Sequence, residues 1–217
     1  MNKLMLLAVV VVLSLSVCLQ AHAAVIDFES LWPGSETEGL VPDGYAGFDW
    51  DAGALNASWK TKNHRPGTGY QNTINGNVGI YTPYAASIGL QNGGIFDLTS
   101  IRMGAAWNDD QYAYVDGYLG AAHPYTAHIL TPWLGQDFVF NWAGIDKLVI
   151  TPDDQTGTLH PGMVGAGHHV VMDDFVLNKN GPGNGSPELS TWMLLACSGL
   201  AGWCCGGGAR RSLYARQ

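Results

Sequence analysis

Between residues 25 and 178 the hydrophobic side chains fall into short runs of two-residue alternation, separated by turn residues. The runs cover 25–29, 47–50, 76–81, 95–103, 112–119, 125–130, 138–142, 147–151 and 169–177. No window there sustains a helical period over three turns. A chain built this way folds from strands, and many short strands at regular spacing indicate a sandwich or barrel. We therefore expect an all-β domain, an antiparallel jelly-roll β-sandwich. The stretch 51–77 is poor in apolar residues and rich in Gly and Asn. It reads as a large surface loop or a set of irregular strands, the kind of segment that carries binding sites.

The two ends differ from this middle. Residues 1–23 place Lys3 before an apolar run over 4–17, and Ala21 and Ala23 then supply small residues at a cleavage site. That is the pattern of a secretory signal peptide, expected as an N-terminal helix. Residues 24–179 form the β-domain, and 180–186 read as a Gly-rich linker. Residues 187–217 form a tail in which an apolar helix over 193–209 precedes Arg210 and Arg211. Those arginines would stay cytoplasmic, which leaves the domain outside. Of the 4 cysteines, Cys18 lies in the signal and Cys197, Cys204 and Cys205 in the tail, so the domain has neither disulfide nor thiolate chemistry.

The tail resembles a PEP-CTERM sorting signal. The resemblance rests on Pro187, Glu188, Leu189, Ser190, Thr191 and Trp192, followed by the apolar stretch and by Arg210 and Arg211. Leu189 stands where that signal has its second Pro. The resemblance implies a Gram-negative bacterium that makes extracellular polysaccharide and an exosortase-like processing enzyme as partner. It implies a transient stage in the inner membrane, then a place at the envelope surface or in the extracellular matrix.

The middle also resembles a family. Ile26-Asp27-Phe28-Glu29, then Phe96 to Ser100, Tyr114 to Tyr118, Phe140 to Asp146 and Met172 to Leu177 follow the order seen in exported PEP-CTERM proteins. Those proteins carry a galactose-binding-like jelly roll akin to carbohydrate-binding modules. Residues 24–186 hold six basic and 17 acidic residues, a net charge of −11. So acidic a surface excludes a nucleic-acid partner.

In the last run Val171, Asp173, Phe175 and Leu177 share one face, which puts Asp173 in phase with the core. A buried, unpaired carboxylate is costly. Two remedies are open: a calcium ion, or hydrogen bonds from loop amides at the sheet edge. The resemblance implies one structural calcium, held by Glu29 and Asp173 with Asp27 and Asp174 as weaker ligands.

Ligand binding is expected at Trp107 with its polar neighbours Asn108, Asp109 and Asp110, and next at Trp59. There an indole would stack on a sugar ring while the polar groups hold its hydroxyls. The histidines form no zinc spacing and read as surface or loop residues. No Gly-x-Ser-x-Gly elbow, phosphate loop or dinucleotide fingerprint is present. These signs point to an exported, non-enzymatic envelope or matrix protein that binds exopolysaccharide. The competing readings are a structural matrix protein without glycan binding and a secreted glycan-degrading enzyme.

Overall fold

The computed structural model describes residues 23–83, 87–165 and 167–180. All of them belong to the compact unit Met1–Gly181. The expected signal peptide, most of the expected linker, and the expected sorting tail with its apolar helix lie outside the described residues. Among those described, no helix is long and apolar enough to cross a membrane.

Eleven strands are described: β1 (Ala24–Ile26), β2 (Glu38–Leu40), β3 (Ser58–Thr61), β4 (Val78–Tyr81), β5 (Ile88–Ala105), β6 (Asn108–Asp109), β7 (Gln111–Leu119), β8 (Ala122–Thr131), β9 (Gln136–Pro152), β10 (Thr158–Leu159) and β11 (Val170–Asn180). One short helix, α1 (Gly69–Thr73), lies between β3 and β4. Every pairing is antiparallel. The order β2-β3-β4-β11-β5-β9-β7-β8 is continuous, with β1 also on β11, so the first and last strands are neighbours. This is an antiparallel jelly-roll sandwich.

Two long strands join its layers. β9 pairs with β5 across Gln136–Ile145 and again across Lys147–Ile150, with register shifts between the two stretches. Its first half continues the sheet that holds β11, and its second half carries β7 and β8. The runs expected at 138–142 and 147–151 are therefore one bent strand, with Asn141 and Gly144 at positive φ where it turns. The core between the layers gathers Phe28, Phe48, Trp50, Phe96 and Phe175 with Val115, Leu148 and Ile150. Phe28 meets Trp50 and Phe175 edge to face, at ring distances of 5.4 and 5.7 Å.

β11 departs from the single face read in the sequence. Its register shifts between Asp173 and Val176, and Asp174 takes φ 46°. One extra residue reverses every later side chain. Val170, Met172, Phe175 and Leu177 thus share the main core, while Val171 joins Tyr70, Ile74, Ala106 and Trp107 in a second cluster. That second cluster is the apolar bed under α1, and it positions the site described next.

Candidate functional site

The segment 51–77 is neither all loop nor all irregular strand: it contains β3, a turn and α1. β3 is buried along its whole length. Lys60 on it stands directly opposite Glu38 of β2. Their charged ends lie 2.8 Å apart, although Lys60 is only 6% exposed. The ammonium also sits 5.1 Å from the centre of the Tyr70 ring and 4.9 Å from that of Tyr81. One carboxylate and two ring faces thus compensate a cation withdrawn from water. The Lys60 bond holds the Glu38 carboxyl below its ordinary value, against the opposing effect of burial.

After β3 the chain turns through Arg65, Pro66 and Gly67. Thr68 closes the turn by donating its hydroxyl to the Arg65 carbonyl at 2.6 Å, and α1 begins at Gly69. A Cβ at Gly69 would run into the Ala105 carbonyl, so the residue lets the helix sit directly on β5. Tyr70 then reaches His169, just before β11, with its hydroxyl 2.7 Å from Nδ1. Burial, then Lys60 and His168, push the His169 pKa down to about 4, so the ring is neutral at pH 7.

Two hollows, about 340 and about 360 Å³, open over this framework and share Arg65, Trp107 and Val164 as lining. Lys60, Tyr70, Tyr81 and His169 line the first, with Glu38 at its side. His64 and Thr68 are among the walls of the second. Trp107 packs edge to face on Tyr70 at 5.6 Å. The backbone at Gly165 crosses its ring so closely that a Cβ there would overlap the indole. Trp107 is 7% exposed, so it walls the groove rather than offering an open ring face. Its indole N–H is buried with no hydrogen-bond partner among the described residues. A larger hollow of about 460 Å³ near Asp49, Gln91 and Lys147 has no aromatic lining.

The other expected ligand residues fall elsewhere. Trp59 is 4% exposed and belongs to the main core. Asn108 is buried and donates to Gln111 Oε1 and the Gly167 carbonyl. Asp109 accepts from His160 Nδ1 at 2.9 Å, and that imidazole stacks on Trp133 at 4.3 Å. Asp110 is exposed, at φ 54°, between β6 and β7. Of the expected set, only Trp107 lines the groove. Its other lining residues were not singled out in the sequence. The visible signal was the run Lys60, Lys62, His64, Arg65 inside an acidic chain. The histidines lie at the surface or in loops, and several of them stack on aromatic rings. His169 is partly buried, His128 stacks on Tyr114 at 4.2 Å, and His123 stacks on Tyr118 at 4.4 Å.

The four candidate metal ligands are placed around the segment that follows α1. Glu29 Oε1 accepts from the Asn77 and Val78 amides, and Oε2 from the Asn77 side chain. Asp173 Oδ2 accepts from the Asn75 amide at 2.8 Å and Oδ1 from its neighbour Asp174. Asp174 Oδ2 accepts from the Asn75 side chain, and Asp27 Oδ1 from the Glu29 amide. The donor set is all oxygen, as a hard cation prefers. Yet each oxygen of Glu29 and Asp173 already receives an N–H. Among the described residues no group of three or more His, Cys, Asp or Glu side chains is placed to hold one ion. In this arrangement the four carboxylates do not form a cage that fits calcium. Burial above all pushes the Asp173 pKa up to about 8, and the Asp174 and Glu29 charges add to it against the two amide bonds.

No family model matches the chain, and no curated protein matches its sequence. Among solved structures it is similar to TmCBM61 in complex with β-1,4-galactotriose, at 14% identity over 67% of this chain and 100% of that one, with a TM-score of 0.34. It is similar to a variant of the family 29 carbohydrate-binding module CBM29-2, at 14% identity over 75% of this chain and 94% of that one, TM-score 0.38. It is also similar to the family 32 module of C. perfringens NanJ in complex with galactose, at 13% identity over 65% and 99%, TM-score 0.34.

Proposed function

We propose that the β-domain is a non-enzymatic glycan-binding module, exported and sorted by its PEP-CTERM-like tail to the envelope surface or the extracellular polysaccharide matrix. The groove at Trp107 carries this reading. A sugar presents apolar C–H faces and a rim of hydroxyls. The groove answers with three aromatic walls (Tyr70, Tyr81 and Trp107) and a few charged groups at one side, the composition of a small-ligand site.

The test is retention of the full chain on immobilised polysaccharides, repeated with Trp107→Ala and with the exposed Val164→Asp, whose fold is not at risk. Retention lost in both variants, with an unchanged melting temperature in the second, supports the groove. Protein that binds no glycan but still enters the matrix has the structural role instead. Release of reducing ends would make it an enzyme. For the tail, a mature C-terminus near 187–190 by mass spectrometry supports exosortase-type processing, and one at Gln217 in the inner membrane opposes it.

A further inference from the structure

Resting on the groove as a glycan site, the geometry points to its ligand class: we infer that it takes an acidic saccharide, whose anionic group is held by Arg65 beside Lys60.

The domain is strongly acidic, yet the groove is not. Of the six basic residues in 24–186, Lys60, Lys62 and Arg65 lie within six positions of one another. Two of the three line the groove, and Glu38 is the one acid among the lining residues of both hollows. Glu38 is engaged by Lys60 at 2.8 Å. Arg65 has no such partner among the described residues. Its backbone carbonyl accepts from the Thr68 hydroxyl, and the residue lines both hollows. A guanidinium offers five donors in a planar fork and accepts nothing. The Lys60 ammonium is already met by Glu38 and by the Tyr70 and Tyr81 rings, so the unmatched donors are those of the Arg65 fork. Donors therefore outnumber acceptors in the groove, so the complementary ligand is rich in acceptor oxygens.

Hydroxyls could meet some of this demand, but a paired anionic group meets the fork bidentately, and charge-assisted bonds are about twice as strong as neutral ones. The positive field acts on the surrounding groups as well. Burial, then Lys60 and more weakly Arg65, oppose protonation of His64, against the opposite pull of Glu38. The same shared chemistry, two anionic oxygens on a sugar ring, comes from a uronic-acid carboxylate or from a sulfate ester.

The experiment is calorimetric titration of the full chain, purified in detergent, with three oligosaccharides of equal length: oligogalacturonate, a sulfated galactan fragment and neutral β-1,4-galacto-oligosaccharide. Arg65→Ala, Arg65→Lys and Lys62→Ala are titrated alongside. Arg65 is exposed, so its replacement leaves the fold intact. The expected result is that one of the acidic ligands binds about ten-fold tighter than the neutral one. Arg65→Ala then collapses the ratio of acidic to neutral affinity, Arg65→Lys restores part of that ratio, and Lys62→Ala keeps it. Which acidic ligand wins identifies carboxylate or sulfate. Equal affinity for acidic and neutral ligands overturns the inference but leaves glycan binding standing. An acidic preference that survives Arg65→Ala or disappears in Lys62→Ala overturns it too, since overall charge then sets the preference. No binding of any of the three overturns both readings.

Discussion

Asp173 is fully buried, and its carboxyl accepts from two amide N–H groups. With its pKa raised from 3.8 to about 8, the native state keeps a proton that the unfolded chain sheds near pH 4. Stability from this group is therefore fully present below about pH 4, declines as pH rises, and is lost once pH passes about 8. Asp173→Asn cannot ionise. Its midpoint in urea, relative to wild type, should shift in its favour between pH 5 and pH 8 by at least about 1.4 kcal/mol, the worth of one pKa unit. A flat difference, together with a melting temperature that rises on adding calcium and falls on chelation, would show a carboxylate held ionised by a metal. The sequence showed that Asp173 is a core-phase carboxylate needing compensation. It could not show that loop amides supply hydrogen bonds, because the donor Asn75 sits about a hundred residues away in a stretch without periodicity.

At the scale of elements, α1 decides where the groove lies. Five residues make no stable helix by themselves. This one persists because Tyr70 and Ile74 bury against Val171, Ala106 and Trp107. Gly69→Ala would push the helix off the Ala105 carbonyl. The expected cost is about 1–3 kcal/mol, as in other overpacked sites, read as a lower urea midpoint. Glycan affinity should fall with it, since Tyr70 moves with the helix. An unchanged midpoint would show that β5 yields there. The strands themselves were legible wherever alternation ran clean, as over 112–119. What alternation hides is a break in its own phase: the bulge at Asp174 and the bend at Asn141–Gly144 depend on positive φ at single residues. A five-residue helix is likewise too short for its period to register. Trp107 was legible as a candidate because a Trp beside polar groups at a strand end is conspicuous, and the structure places it in the wall of the groove. Its partners in the groove come from β2, β3, the turn at Arg65, α1, β4 and the residue before β11, and only the tertiary fold assembles them.

For the whole molecule, the acidic surface and the basic groove act over different distances. An anionic glycan far from the protein meets the net charge of −11 on residues 24–186. Close to the groove it meets Lys60 and Arg65. Salt separates the two regimes. At about 0.01 M the screening length is about 30 Å, comparable to the domain itself, so net repulsion governs the approach. At about 0.15 M it is about 8 Å, and a ligand at the groove mouth is shielded from most of the distant carboxylates while the Arg65 contact is little weakened. The association rate of an acidic oligosaccharide, followed by stopped-flow tryptophan fluorescence, should therefore rise with salt over this range. For a neutral one it should stay level. The usual electrostatically steered encounter slows with salt, because attraction is what salt removes. A falling rate here would mean that the groove's field reaches beyond that of the acidic surface, and the carboxylates would have to be clustered away from the groove. A rising rate would identify the surface as a filter: it holds polyanions off everywhere except where two cations and an aromatic wall receive them.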